Sequence, residues 1–255
     1  MTVRVGVTGA TGRMGREVIA AVDDHADCEV VFAVSRSPDG ETVDGVEIES
    51  ADEIDSLLVE REPTAVIDFT GPESAVEYAA ACAAADVAFV TGTTGFDDAH
   101  LEALEEASEE IAGLHAPNFA RGVQALLNVV GEAVQNLPGY DVELVETHHN
   151  AKRDAPSGTA NRLLTEIEAN GEFTERTHGR EGEQPRDAGE IGVHALRAGN
   201  VTGEHEVLLA GNHEELRLTH RAEDRGVFAA GAVDAAAWIA GQKAGWYDFA
   251  DVIAE

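Results

Sequence analysis

Val3-Arg4-Val5-Gly6-Val7-Thr8-Gly9-Ala10-Thr11-Gly12-Arg13-Met14-Gly15 decides the fold. It starts as a short β-rich run, passes through Gly9, Gly12 and Gly15, and continues into an apolar helical pattern at Val18, Ile19 and Val22. A glycine turn between a strand and a helix lets backbone N–H groups meet a pyrophosphate, and the helix dipole favours the negative charge. The spacing differs from the commoner Gly-x-Gly-x-x-Gly, so the strand–turn–helix context carries the reading. A structural tight turn is the plainer alternative. Gly9, Ala10, Thr11, Gly12, Arg13, Met14 and Gly15 form the candidate cofactor loop.

Outward from this turn, strand patterns at 29–34, 65–69, 87–91 and 113–115 alternate with helical patterns at 52–59, 72–85 and 97–111. Pro72 stands in a first turn, where its missing N–H costs nothing. Such alternation implies a doubly wound parallel sheet. The grammar changes after Asn118. A helix at 121–135, a strand at 141–147 and a helix at 157–169 precede a loop at 170–189 rich in Gly, Glu and Arg. Strand patterns then follow one another at 191–197, 201–209 and 214–221, with Gly211-Asn212 suited to a hairpin turn. The expected class is α/β: a Rossmann-type doubly wound parallel sheet from 1–119 and 228–255, plus a smaller α+β domain at 120–227 with an open mixed or antiparallel sheet.

Charge narrows the partners. Against 17 basic residues stand 49 acidic ones, a net charge of −32, which disfavours nucleic acid and anionic membranes. The acids are spread along amphipathic segments rather than gathered in a tail, and lysine is nearly absent. This reads as the solvated acidic shell of a halophilic protein. Self-repulsion then weakens the fold as the Debye length grows, so melting temperature should rise from low to molar KCl; a flat or falling series would reject the reading. No apolar run of about 18 residues exists, so no membrane span is expected. No leader is evident at the N-terminus, and Cys28 and Cys82 lack metal spacing; a reduced, cytoplasmic protein is expected.

Cofactor choice is read at the end of the second strand. NAD enzymes place an acid there to hold the ribose hydroxyls; this chain has Ser35-Arg36-Ser37. Ser35 and Arg36 suit a 2′-phosphate, so NADPH is expected over NADH, although NADH use stays possible. A solvated turn arginine is the alternative. Further strand-end loops hold Asp68-Phe69-Thr70, Gly92-Thr93-Thr94-Gly95 and Ala116-Pro117-Asn118-Phe119. From these, Phe69, Thr70, Gly92, Thr93, Thr94, Ala116, Pro117, Asn118 and Phe119 are candidate cofactor contacts. Each loop alone reads equally well as a turn.

The chemistry concentrates in His148-His149-Asn150-Ala151-Lys152-Arg153-Asp154-Ala155-Pro156-Ser157-Gly158-Thr159. Two imidazoles, an ammonium and a guanidinium precede a helix start able to hold an anion. Lys152 is one of only two lysines, the other being Lys243. A charged surface loop is the alternative. A zinc site is not expected, because adjacent strand residues face opposite ways and no third ligand has supporting spacing.

Taken together, these segments resemble the 4-hydroxy-tetrahydrodipicolinate reductase (dihydrodipicolinate reductase) family over essentially the whole chain. Arg197-Ala198-Gly199, Gly203-Glu204-His205 and Thr219-His220 resemble its later sheet segments. The resemblance implies reduction by NAD(P)H of the cyclic product of pyruvate and aspartate semialdehyde, on the diaminopimelate route to lysine, by a homotetramer. It implies His148 as proton donor, Lys152 as second proton-donating group, His149 as a substrate contact, and Ser157, Gly158 and Thr159 around a substrate carboxylate. Asn150 and Ala151 depart from the basic residues often found there, and Ser35 from the acid many members carry.

Other readings stay open at this stage. The opening resembles short-chain oxidoreductases, but Tyr78, Tyr140 and Tyr247 lack a lysine four residues on. A non-catalytic NADPH-sensing regulator would keep the glycine turn without needing His148, His149 and Lys152 together.

Overall fold

In a computed structural model, residues 2–38 and 40–254 are described. In chain order the elements are β1 (Val3–Thr8), α1 (Arg13–Asp23), β2 (Cys28–Ser35), β3 (Thr42–Val43), β4 (Val46–Ser50), α2 (Ile54–Arg61), β5 (Ala65–Asp68), α3 (Pro72–Ala84), β6 (Ala88–Thr91), α4 (Asp98–Ala107) and β7 (Ala112–His115). Then come α5 (Arg121–Asn136), β8 (Asp141–His148), α6 (Gly158–Asn170), β9 (Glu175–His178), β10 (Glu190–Arg197), β11 (Gly203–Ala210), β12 (Glu215–Ala222), α7 (Gly226–Ile239), β13 (Gly245–Tyr247) and α8 (Phe249–Ile253). They form two compact units. One runs through Phe119 and resumes at Arg225; the other is Ala120–Asp224.

The first unit holds a sheet in the order β13-β7-β6-β5-β1-β2-β4-β3, parallel apart from the β3/β4 pair. Two apolar clusters explain why its strands read as continuous hydrophobic runs, since a parallel sheet is buried on both faces. One cluster joins Val5, Val7, Ile67 and Leu114 to Val18, Ile19 and Val22 of α1 and to the alanines of α7. The other joins Phe32, Val66 and Phe89 to Leu57, Leu58, Tyr78, Cys82 and Leu104. With few aromatics, small residues bring helices close. A Cβ at Gly231 of α7 would stand 1.9 Å from the Phe119 carbonyl oxygen. Local signals set the helix starts: Pro72 opens α3, and Asp97 and His100 form a reciprocal cap on α4.

The second unit is a five-stranded sheet, β12-β11-β8-β10-β9, with α5 and α6 packed together. The pairing is mixed. β8 runs parallel to β10 and β10 to β9, whereas β11 is antiparallel to β8 and β12. The loop expected at 170–189 contains strand β9, whose polar sequence Glu-Arg-Thr-His has no apolar alternation to announce it. β8 alternates cleanly: Val142, Leu144, Glu146 and His148 are buried. A carboxylate and an imidazole thus occupy positions that the strand period assigns to the core. Among the described residues, no helix is long and apolar enough to cross a membrane.

Candidate active site

The glycine turn leaves β1 at its C-terminal end. Gly9 has φ +70°, a conformation that disfavours side chains, and its carbonyl accepts from Gly12 N at 2.9 Å. No side chain caps α1, whose N-cap is Gly12. A Cβ at Gly15 would stand 2.2 Å from Gly9 O and 2.7 Å from Ala10 Cα, so only glycine lets the helix approach the strand here. Ala10 is buried and its N–H bonds Val34 O; Met14 is half-buried, and Arg13 is exposed. Thr11 and Ser35 share a hydroxyl–hydroxyl bond of 2.8 Å. Ser35 is therefore a buried fastener of the turn, whereas Arg36 beside it is exposed.

Thr8, Asp68 and Thr91 lie in register at the ends of β1, β5 and β6. Asp68 is fully buried and accepts four hydroxyl bonds. Thr8 and Thr70 donate to Oδ1 at 2.7 and 2.6 Å, and Thr91 and Thr93 donate to Oδ2 at 2.8 Å each. One acceptor thus binds together the strand ends and the loops carrying Thr70 and Thr93. Thr70 N also bonds Thr93 Oγ1 at 3.1 Å. Gly92 admits the Phe69 ring, which a Cβ there would meet at 2.0 Å. Thr94, Pro117 and Thr70 are exposed, while Ala116 is buried and Asn118 partly so. Phe119 is a core side chain, packed edge-on against Phe69 and Phe249.

In the second unit, the histidine block is gathered around Glu146, a carboxylate with no exposed surface. Oε2 meets His148 Nδ1, and the Arg197 guanidinium forks onto both oxygens at 2.9 and 2.8 Å. Ser157 N donates to Oε1 at 3.1 Å. Arg197 also donates to the Asp154 carbonyl at 2.5 Å, and the Asp154 side chain pairs with Lys152 Nζ at 2.9 Å. Ser157 caps α6 by accepting from Ala160 N; Gly158 and Thr159 form its first turn. His205 bonds Ser157 Oγ at 3.1 Å and packs edge-on against His148, ring centres 5.1 Å apart. His149 follows the end of β8 and is half-buried.

Burial lowers the pKa of His148, with Lys152 and Arg197 adding to it, against the opposing effect of the hydrogen bond it donates to Glu146. Burial would raise Glu146, but Arg197 and His148 hold it below the usual carboxylate range. Burial alone pushes Asp154 up, and Lys152 more than reverses this. His205, deeply buried beside His148, falls to about 3 and is neutral.

Sequence reading found His148, Lys152 and the α6 start, and the structure brings these together. It missed Glu146, Arg197 and His205 as members of the site, and Asp68 as the hub of the other. Glu146 had a readable signal: two residues before His148 on a strand, it shares that face.

A parallel sheet with a glycine turn at its strand ends, plus a second unit bearing buried histidine chemistry, defines a two-unit α/β oxidoreductase. The profile "Dihydrodipicolinate reductase, N-terminus" matches residues 3–119, and "Dihydrodipicolinate reductase, C-terminus" matches 122–253. The 4-hydroxy-tetrahydrodipicolinate reductase of Natronomonas pharaonis is 56% identical over 97% of this chain and 98% of its own. That of Haloarcula marismortui is 51% identical over 98% of each. A dipicolinate-bound dihydrodipicolinate reductase from Paenisporosarcina sp. TG-14 superposes with TM-score 0.81 at 26% identity, covering 97% of this chain and 98% of that one. The chain belongs to the dihydrodipicolinate reductase family and is an oxidoreductase.

Proposed function

We propose that this protein reduces 4-hydroxy-tetrahydrodipicolinate to tetrahydrodipicolinate for lysine synthesis through diaminopimelate, with NADPH preferred to NADH. The observation carrying the reading is the linked set His148, Lys152 and Ser157, joined through Glu146, Arg197 and Asp154 at the end of β8. The cofactor fits this chain's residues on two structural grounds: glycine at 15 lets the start of α1 lie close against the Gly9 turn, and no side chain caps α1. Gly9 to Gly15 hold the pyrophosphate, and Arg36 takes the 2′-phosphate. Phe69, Thr70, Gly92, Thr93, Thr94 and the 116–119 backbone line the nicotinamide end. When bound, the reduced nicotinamide supplies hydride.

The dicarboxylate ring is held by His149, Lys152 and the first turn of α6, Ser157 to Thr159. The 4-hydroxyl leaves as water to give the conjugated imine, and hydride addition at the carbon that bore it then places negative charge on the neighbouring enamine carbon. His148, protonated, donates from Nε2 to that carbon, and Lys152 stabilises the developing charge. The second sheet's face bearing Val145, Leu196 and Leu208 alternates with the buried face, and Leu196 is 49% exposed. It serves assembly into a homotetramer, for which light scattering should return a four-chain mass.

Following NADPH oxidation coupled to dihydrodipicolinate synthase tests the reading. Turnover is expected with NADPH and more slowly with NADH; binding of NADPH without turnover would favour the sensor alternative. Arg36→Ala should lower the NADPH/NADH ratio of kcat/KM by about tenfold or more, the worth of one charge-assisted bond. An unchanged ratio would remove Arg36 from the cofactor site.

A further inference from the structure

We infer that Glu146 is a positioning residue that sets which imidazole nitrogen of His148 carries the transferable proton and locks the start of α6 to the same point. This rests on the function proposed above.

The geometry is over-determined. Glu146 has no exposed surface, and its oxygens meet four donors: His148 Nδ1, two Arg197 nitrogens and Ser157 N. Arg197 and Ser157 N are donors only and cannot accept, so the carboxylate stays ionised between them. An ionised carboxylate only accepts, so His148 must present Nδ1 as N–H. The neutral ring then leaves Nε2 bare, and the proton gained on charging sits on Nε2. Nε2 points towards Gly203, where a Cβ would stand 3.2 Å away; the glycine keeps space beside the reacting nitrogen.

Other groups facing the ring do not compete. His205 on β11 meets it edge-on and is engaged with Ser157 Oγ. Lys152 from the loop, itself paired with Asp154, and Arg197 from β10 oppose protonation of the ring, and Glu146 favours it. The second duty follows from the same atoms. Ser157 N bonds Oε1 while its hydroxyl caps α6, so the carboxylate that orients the acid also fixes the anion-holding turn.

Glutamine at 146 keeps the shape and inverts the bond. Its amide N–H faces Nδ1, which must accept, and the neutral ring then holds its proton on Nε2, where release would leave an imidazolate. Glu146→Gln should lower kcat about 100-fold, the lower end of what a positioned general acid contributes. It should also move the fall of kcat/KM with rising pH to lower pH, because the imidazolium loses its anion. Glu146→Asp keeps the charge and should restore the position of that limb. NADPH affinity, read by fluorescence titration, should stay unchanged. Histidine 15N spectra of the unmutated protein provide the check that survives a folding failure: neutral His148 should carry its proton on Nδ1. A neutral Nε2–H form, or an unmoved pH limb in Glu146→Gln, would overturn the inference. Failure of the unmutated protein to turn over the substrate would instead overturn the proposed function, and the spectra would still decide the tautomer.

Discussion

Replacing His148 by glutamine should lower kcat about 1,000-fold while leaving NADPH binding within about twofold, the range expected for loss of a positioned general acid. Glutamine can still bond Glu146 but has no proton to give near neutral pH. The pH profile sharpens the test. Burial holds the His148 pKa below its ordinary 6.5, so its acid form is lost as pH rises through that lowered value. kcat/KM of the unmutated protein should therefore fall with rising pH, and the variant should lose that limb. Steady-state rates across pH, with fluorescence titration of NADPH, check both. A variant within tenfold of the original would place the proton elsewhere, Lys152 being next in line.

Gly15→Ala should strike the other half of the chemistry. The new Cβ would meet two backbone groups, Gly9 O at 2.2 Å and Ala10 Cα at 2.7 Å, and neither can swing aside as a side chain does. The start of α1 must move off the β1 turn, at a cost of about 1–3 kcal/mol. Its first-turn N–H groups move with it, so the NADPH Kd should rise about 10–100-fold if that cost falls on binding. kcat at saturating NADPH should recover most of its value. Thermal melts with and without NADPH give both the destabilisation and the lost ligand shift. Unaltered affinity would mean the glycine turn is structural only. His148→Gln and Gly15→Ala should thus separate turnover from cofactor affinity.

Much of the first unit was legible because its signals are local. The glycines, the apolar period of α1 and Pro72 at the start of α3 each act within a few residues. In the second unit, β10 was expected in a run of successive strands, yet it pairs parallel to β8, and β9 was read as loop. Pairing partners are chosen by burial across the sheet, and a polar edge strand leaves little apolar pattern. Ser35 shows the same limit at the site: its side chain is buried with its hydroxyl bonded to Thr11, a contact across 24 positions of chain that neighbouring residues do not announce.

By itself the sequence determined the parallel sheet, the glycine turn and the candidate groups His148 and Lys152, because strand and helix periods and a crowded motif are written in neighbouring residues. Only the tertiary structure decided how those groups are held. Arg197 reaches Glu146 across 51 positions of chain, and Thr8 and Thr93 meet on Asp68 from 60 residues before it and 25 after. A buried carboxylate takes whichever donors folding delivers to it, and that delivery depends on strand order rather than on nearness in the chain.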